Sequence, residues 1–348
     1  MYRYEDIKSV HIEPTQGCNA ACPQCDRNIN GGEDNPYLHN AMLSSADYYE
    51  MFPCSFVEQL DSMYMCGNLG DPCVSSYAGE GFRYFRHANP KMWLGMNTNG
   101  GARLDYFWED LADLDVVITF SIDGLEDTNH LYRQKVKWER VMENVKAFIN
   151  RGGRAKWDFI VFKHNEHQVE EAERMAKLFG LEFVRKKSGR WVQSHKNKKV
   201  DKKITVKGEE IKPPTNPEHQ NKSVSGYDKL VESHGTFQKY LDQTKIKCKS
   251  LTTNEIYISA EGLVTPCCWT AGKLYKTYEE IGENQIWSYF NDLKDINALH
   301  TPLRDIIEGG FFKKLQKSWN MSSCADGKST VCAEKCGSGF DAFRDQWE

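Results

Sequence analysis

Cys18, Cys22 and Cys25 place three thiols within one short stretch, CNAACPQC. Soft thiolates select iron–sulfur clusters, zinc or Cu(I). Three of them on one tight loop can hold three irons of a cubane and leave the fourth iron open to a substrate. Structural zinc wants a fourth ligand close by, for which His11 and His39 are candidates. A second group stands far along the chain: Cys248, Cys267, Cys268, Cys324, Cys332 and Cys336. Between them Cys54, Cys66 and Cys73 lack metal spacing and read as free thiols. Disulfides are rare inside cells. Two clusters flanking a cysteine-free stretch therefore imply two metal sites.

The elements that must position these residues follow from periodicity. Strands are expected over 7–14, 62–67, 91–97, 115–123, 155–163 and 181–186. The fourth, DVVITFSID, is β-branched enough to be buried on both faces. Residues 47–60 look helical. Residues 138–151 form an amphipathic helix with Trp138, Val141, Val145, Phe148 and Ile149 on one stripe. A further helix over 166–179 is capped by Asn165 and stopped by Gly180. Strand–helix alternation predicts a parallel sheet with helices outside. Six units are too few for a closed eight-fold barrel, so an open, partial barrel is expected.

Beyond the barrel the character changes. Lys186 to Lys207 carries nine Lys or Arg against Asp201 alone, and KPPTNPEHQNKS follows. This reads as an exposed linker or insertion, although Trp191 and His195 among the cations leave a grip on RNA or an acidic peptide open. From Cys248 a smaller unit begins with a hairpin turning at Gly262. Helical patterns follow at about 285–299 and 302–318. The expected division is 1–187, 188–247 and 248–348.

The informative fact is where unusual residues fall. Cys18 lies beyond strand one, Gly70 and Asp71 beyond strand two, Asn97 and Asn99 at strand three, Ser121 and Asp123 at strand four. In parallel α/β folds these ends open on one face, where ligands bind.

CNAACPQC resembles the signature of the radical S-adenosylmethionine (radical SAM) enzymes. The resemblance implies a [4Fe–4S] cluster on Cys18, Cys22 and Cys25, with SAM chelating the open iron. Gln24 stands where that family usually has an aromatic. CGNLGDP resembles the family's glycine-rich segment. By that likeness Gly67, Gly70 and Asp71 receive the SAM amine. NTNG and SIDG resemble the segments that contact ribose and methionine carboxylate, which implicates Asn97, Asn99, Ser121 and Asp123. Arg133 matches an arginine that follows SIDG and pairs with the carboxylate. Cys66 ends its strand beside this site and is a candidate hydrogen donor to a substrate radical. The likeness spans residues 7–187.

The later cysteines resemble the SPASM or twitch extension of the same enzymes. Cys248-x13-Gly262-x4-Cys267 matches its opening and Cys332-x3-Cys336 its close. The full pattern has seven cysteines and two extra clusters, whereas this chain carries Gly327 where one cysteine would fall and has none after Cys336. One auxiliary [4Fe–4S] cluster is implied, on Cys248, Cys267, Cys332 and Cys336, with Cys324 as rival ligand. Cys268 adjoins Cys267 and should face the other way. The resemblance implies an external one-electron reductant of flavodoxin or ferredoxin type and a peptide or protein side chain as substrate. The alternatives are RNA or a small metabolite as substrate, or a non-enzymatic zinc protein.

Composition bounds the reading. The chain has 348 residues, 40% apolar and 12% aromatic, which suffices for a real core. Its net charge of −4 pulls it onto neither nucleic acid nor anionic membrane. No apolar run nears a membrane span, and MYRYEDIKSVHIEP lacks a secretory core, so a soluble cytoplasmic protein is expected.

Overall fold

The computed structural model describes residues 1–29, 31–191, 205–206, 209–275 and 285–340. Six strands alternate with helices: β1 Ser9–Ile12, β2 Ser62–Met65, β3 Trp93–Thr98, β4 Val116–Ser121, β5 Ala155–Ile160 and β6 Glu182–Lys186. Each pairs in parallel with the next. A two-stranded ribbon follows, β7 Thr205–Val206 with β8 Glu209–Glu210. The hairpin β9 Glu255–Ile258 and β10 Val264–Thr265 then returns to the large sheet. Its β9 lies parallel to β1, with His11 opposite both Tyr64 and Tyr257. The eight-stranded order is β10-β9-β1-β2-β3-β4-β5-β6. This is the expected α/β partial barrel, extended on its β1 edge by the C-terminal hairpin.

Side chains alternate across this sheet with period two. Val10, Ile12, Met63, Met65, Leu94, Met96, Ile118, Phe120, Trp157 and Phe159 are all buried on one face. Helices cover that face: Phe120 meets Trp108 from one and Phe148 from another. The opposite face carries His11, Tyr64, Asn97, Thr119, Ser121 and Asp158. Strand β4 is therefore not buried on both faces as its composition suggested. Val117, Thr119 and Ser121 are half-buried, because an open barrel leaves its lumen in contact with solvent.

Several boundaries differ from expectation for local reasons. The helical stretch at 47–60 is two short helices, Ser45–Met51 and Cys54–Glu58, parted by Pro53. Ser44 caps the first through the Asp47 amide. Asn165 does not cap its helix. Its side chain instead accepts from Phe162 N and donates to the Asp123 and Ile160 carbonyls, tying β4 to β5. The helix proper runs Val169–Leu178 and ends at Gly180, whose φ of +72° suits a left-handed stop. The pattern at 302–318 divides at Gly309 into Leu303–Ile307 and Gly310–Ser318. That at 285–299 is two 3-10 turns.

Over 209–247 the expected linker is folded chain. Lys163 N donates to the Lys212 carbonyl at 3.1 Å. The Glu166 carboxylate accepts from Thr215 and Asn216 amides. Helices Ser223–His234 and Phe237–Gln243 follow. His195 and most of the neighbouring cations lie outside the described residues. No helix among the described residues is long and apolar enough to cross a membrane.

Candidate active site at the carboxyl ends of the strands

The cysteine loop begins where β1 ends. Cys25 N donates to the Cys22 carbonyl at 3.0 Å and Asn28 Nδ2 to the same oxygen at 3.2 Å, closing the loop into a turn. The buried Arg27 guanidinium donates to the Gln16 carbonyl and pairs with Asp34 at 2.9 Å, fixing the loop's two stems. Cys22 is buried, while Cys18 and Cys25 are half-buried. Burial pushes the Cys22 thiol up to about 11, and Arg133 beside it pulls the other way. Burial also raises Cys25, against Arg190. Deprotonating these three thiols together calls for a cationic partner.

The loop after β2 packs with almost no room. A Cβ on Gly70 would lie 1.8 Å from the Thr15 carbonyl oxygen, and one on Gly67 2.1 Å from the Gly70 oxygen. Only glycine admits these approaches. Glu13, buried at the end of β1, holds the loop: its Oε1 accepts from Leu69 N at 2.7 Å and Gly70 N at 2.9 Å. Tyr257 on β9 donates to its other oxygen.

Asp71 closes that loop and reaches β3. Its Oδ1 accepts from Thr98 Oγ1 at 2.6 Å and Cys73 N at 3.0 Å. Its Oδ2 accepts from Asn99 N and Nδ2, both at 2.7 Å. Both oxygens are thus engaged by the protein. Asn99 Nδ2 also donates to Asn19 Oδ1 at 2.8 Å and lies 3.8 Å from Cys18 Sγ. Asp71 therefore aims the Asn99 amide at the cysteine loop.

Asp123 acts similarly on Arg133. Its Oδ2 accepts from Arg133 Nε at 2.6 Å, its Oδ1 from Ile160 N at 2.6 Å. The carboxylate is fully buried. Arg133 then lies 3.7 Å from Cys22 Sγ. Ser121 and Asn97 are half-buried on the lumen side. Deeper in the lumen the buried Lys186 ammonium pairs with Asp158.

Reasoning from sequence missed Glu13 and Arg190. Glu13 is an acid immediately after a β-branched strand, a position that would have marked it. Arg190 sat inside the basic stretch taken for a linker. It donates to Tyr132 Oη at 3.1 Å, and Cys22, Cys25 and Asp26 surround it. It remains exposed to solvent.

The C-terminal cysteines divide cleanly. Cys248, Cys267, Cys332 and Cys336 line one pocket, together with Trp269, Thr270 and Trp319. Thr270 Oγ1 lies 3.3 Å from Cys267 Sγ. Burial pushes Cys332 up to about 12. Cys324 lies apart, its amide bonded to Asp242 Oδ1 at 2.7 Å. Cys268 does not line that pocket, and its carbonyl accepts from Asn68 Nδ2 at 2.9 Å. Among the described residues no three His, Cys, Asp or Glu side chains converge as a single ion requires. A cubane spreads its irons over separate corners and takes thiols standing further apart.

Residues 12–179 match the radical SAM superfamily model. No curated protein matches the chain. Among solved structures, Streptococcus suis SuiB bound to S-adenosylmethionine is similar with a TM-score of 0.51 at 14% identity, over 94% of this chain and 77% of its own. Native anSMEcpe with bound AdoMet gives 0.52 at 14% identity, over 97% and 92%. SuiB bound to precursor peptide SuiA gives 0.50 at 16% identity, over 94% and 76%. At such identities the likeness speaks to the fold.

Proposed function

We propose that this chain, whose residues 12–179 match the radical SAM superfamily model, is a radical SAM enzyme that modifies a peptide or protein side chain with the help of one auxiliary [4Fe–4S] cluster. The observation that carries the radical site is convergence: three thiols, an aimed amide and two guanidiniums meet where the parallel strands end. That donor set fits a thiolate-ligated cluster, whose negative charge Arg133 and Arg190 offset. Cys18, Cys22 and Cys25 would hold it. Bound there with SAM, the cluster supplies reductive cleavage to methionine and a 5′-deoxyadenosyl radical.

The protein's own groups bind and orient. The backbone of Gly67 to Gly70, held open by Glu13, receives the SAM amine. Asp71 acts through Asn99, and Asp123 through Arg133, which offers its cation to the methionine carboxylate. Ser121 and Asn97 face the lumen, where Ser121 approaches the ribose. Asp71→Ala is expected to weaken SAM binding about tenfold, near the ~1.5 kcal/mol low end for a bond to a charged group, while the iron stays bound. Equilibrium SAM binding to the reconstituted protein checks this. Unchanged affinity would reduce NLGDP to a tight turn.

The auxiliary cluster falls on Cys248, Cys267, Cys332 and Cys336, the four that share a pocket, with Cys324 outside it. The unit from 248 to 348 serves as its domain, docked on the barrel through β9. Two cubanes require about eight iron and eight sulfide per chain after anaerobic reconstitution. Cys267→Ala is expected to halve that count and to destabilise the C-terminal unit, because cluster binding there doubles as folding energy. A count near twelve in the parent protein would contradict the assignment.

A peptide substrate is supported by the open, polar lumen and by SuiB, a neighbour of this fold described with a bound precursor peptide. An external carrier of flavodoxin or ferredoxin type provides the electron, in the cytoplasm. A peptide encoded beside this gene, incubated with enzyme, SAM and reductant, should change mass. Stimulation of 5′-deoxyadenosine formation by RNA or a small metabolite instead would overturn the substrate class.

A further inference from the structure

Two thiols outside both metal-binding sets stand on neighbouring segments at the barrel lumen, joined by the Asn68 side chain. Cys66 follows β2 on the lumen side, half-buried, with its carbonyl 2.6 Å from His11 Nε2. Cys268 opens the short helix after β10, also half-buried. Cys267 turns into the four-cysteine pocket, and its neighbour Cys268 turns the other way. Burial raises the Cys268 thiol well above its ordinary value, and the charges that act on it besides Cys267 are Cys66, Glu255 and Glu13. Tyr64, two residues before Cys66 on the same face of β2, donates to Glu255 at 3.3 Å. The two segments are also tied directly, because Asn68 Nδ2 donates to the Cys268 carbonyl at 2.9 Å. Cys73, by contrast, is wholly buried behind the Asp71 turn and faces no lumen.

We propose that Cys66 and Cys268 form a dithiol that delivers a hydrogen atom to a carbon radical in the lumen, Cys66 being the donor and Cys268 its sulfur partner. The inference rests on the radical chemistry assigned above. Burial keeps Cys66 protonated, since its thiol is pushed up to about 12, and an intact S–H bond is what hydrogen-atom donation needs. In the transfer a C–H bond forms and the Cys66 S–H bond breaks, leaving the unpaired electron on sulfur. Cys268 then loses its proton to solvent as an S–S bond forms with one electron in excess. That electron leaves to an oxidised carrier of ferredoxin type. An external dithiol returns two electrons and two protons to regenerate the pair. Such a site quenches the substrate radical with a solvent-exchangeable hydrogen.

The test uses the reconstituted full chain under anaerobic conditions. Without substrate, the lumen radical is the 5′-deoxyadenosyl radical itself. In D2O with SAM and titanium(III) citrate, the 5′-deoxyadenosine formed should carry one deuterium. Cys66→Ser should lower that deuterium content several-fold. An undiminished content in Cys66→Ser would overturn Cys66 as donor, whereas no 5′-deoxyadenosine from the parent protein would overturn the radical SAM reading itself. Independently of turnover, diamide should join Cys66 to Cys268 in a disulfide found by peptide mapping. Cys268→Ser should abolish that product. Its absence from the parent protein would overturn the pairing.

Discussion

Replacing Cys18, Cys22 and Cys25 together with alanine is expected to abolish reductive cleavage of SAM while leaving the C-terminal cluster in place. The two thiol sets stand on separate supports. The first hangs on a loop fixed by Arg27, Asn28 and the Asp71 turn. The second lines a pocket between Cys248, the segment Pro266–Thr270 that follows β10, and the helices Gly310–Ser318 and Thr330–Cys336. Emptying the first removes its ligands without touching the second. Iron should fall to about four per chain, the content of a single cubane. Iron analysis alongside 5′-deoxyadenosine quantification checks both halves. Full iron retention, or continued cleavage, would place the reactive cluster elsewhere.

Asp123→Ala should be the most damaging single substitution at the strand ends. Its carboxylate is fully buried and neutralises Arg133, whose side chain is 17% exposed. Removing one member of a buried pair strands the other charge and typically costs about 3–5 kcal/mol. The Ile160 amide loses its acceptor as well. Arg133 would then swing away from Cys22. We expect both a large drop in unfolding free energy, read by denaturant titration, and loss of SAM binding. Asp123→Asn retains an acceptor for Ile160 N and should recover part of the stability. Wild-type stability in the alanine variant would mean that Arg133 finds another partner.

Much of this architecture was legible in the sequence, because its signals are local. The apolar run ended by TNGG and the β-branched run ended by SIDG mark strands, and the stripe on 138–151 marks its helix. What escaped was non-local. Nothing in EIYIS says that it lies beside SVHI, more than 240 residues earlier, and parallel pairing leaves no turn to read. The polar residues at 212–223 looked like solvated chain, yet Glu166 and Lys187 offer them partners that only the fold brings near. The conformation of Asp71 was equally hidden. Its type marked it as an acceptor, but the Thr98 and Asn99 donors that engage it come from the next strand. The four cysteines that line the C-terminal pocket are the set that the likeness to the SPASM or twitch extension implied, whereas Arg190 was masked by the lysines around it.

The most direct measurement is 5′-deoxyadenosine formation by the anaerobically reconstituted protein given SAM and a strong one-electron reductant. 5′-Deoxyadenosine and methionine are expected in equal amounts, from protein carrying iron and sulfide. Protein that binds zinc without sulfide, and leaves SAM intact under those conditions, would contradict the radical SAM reading.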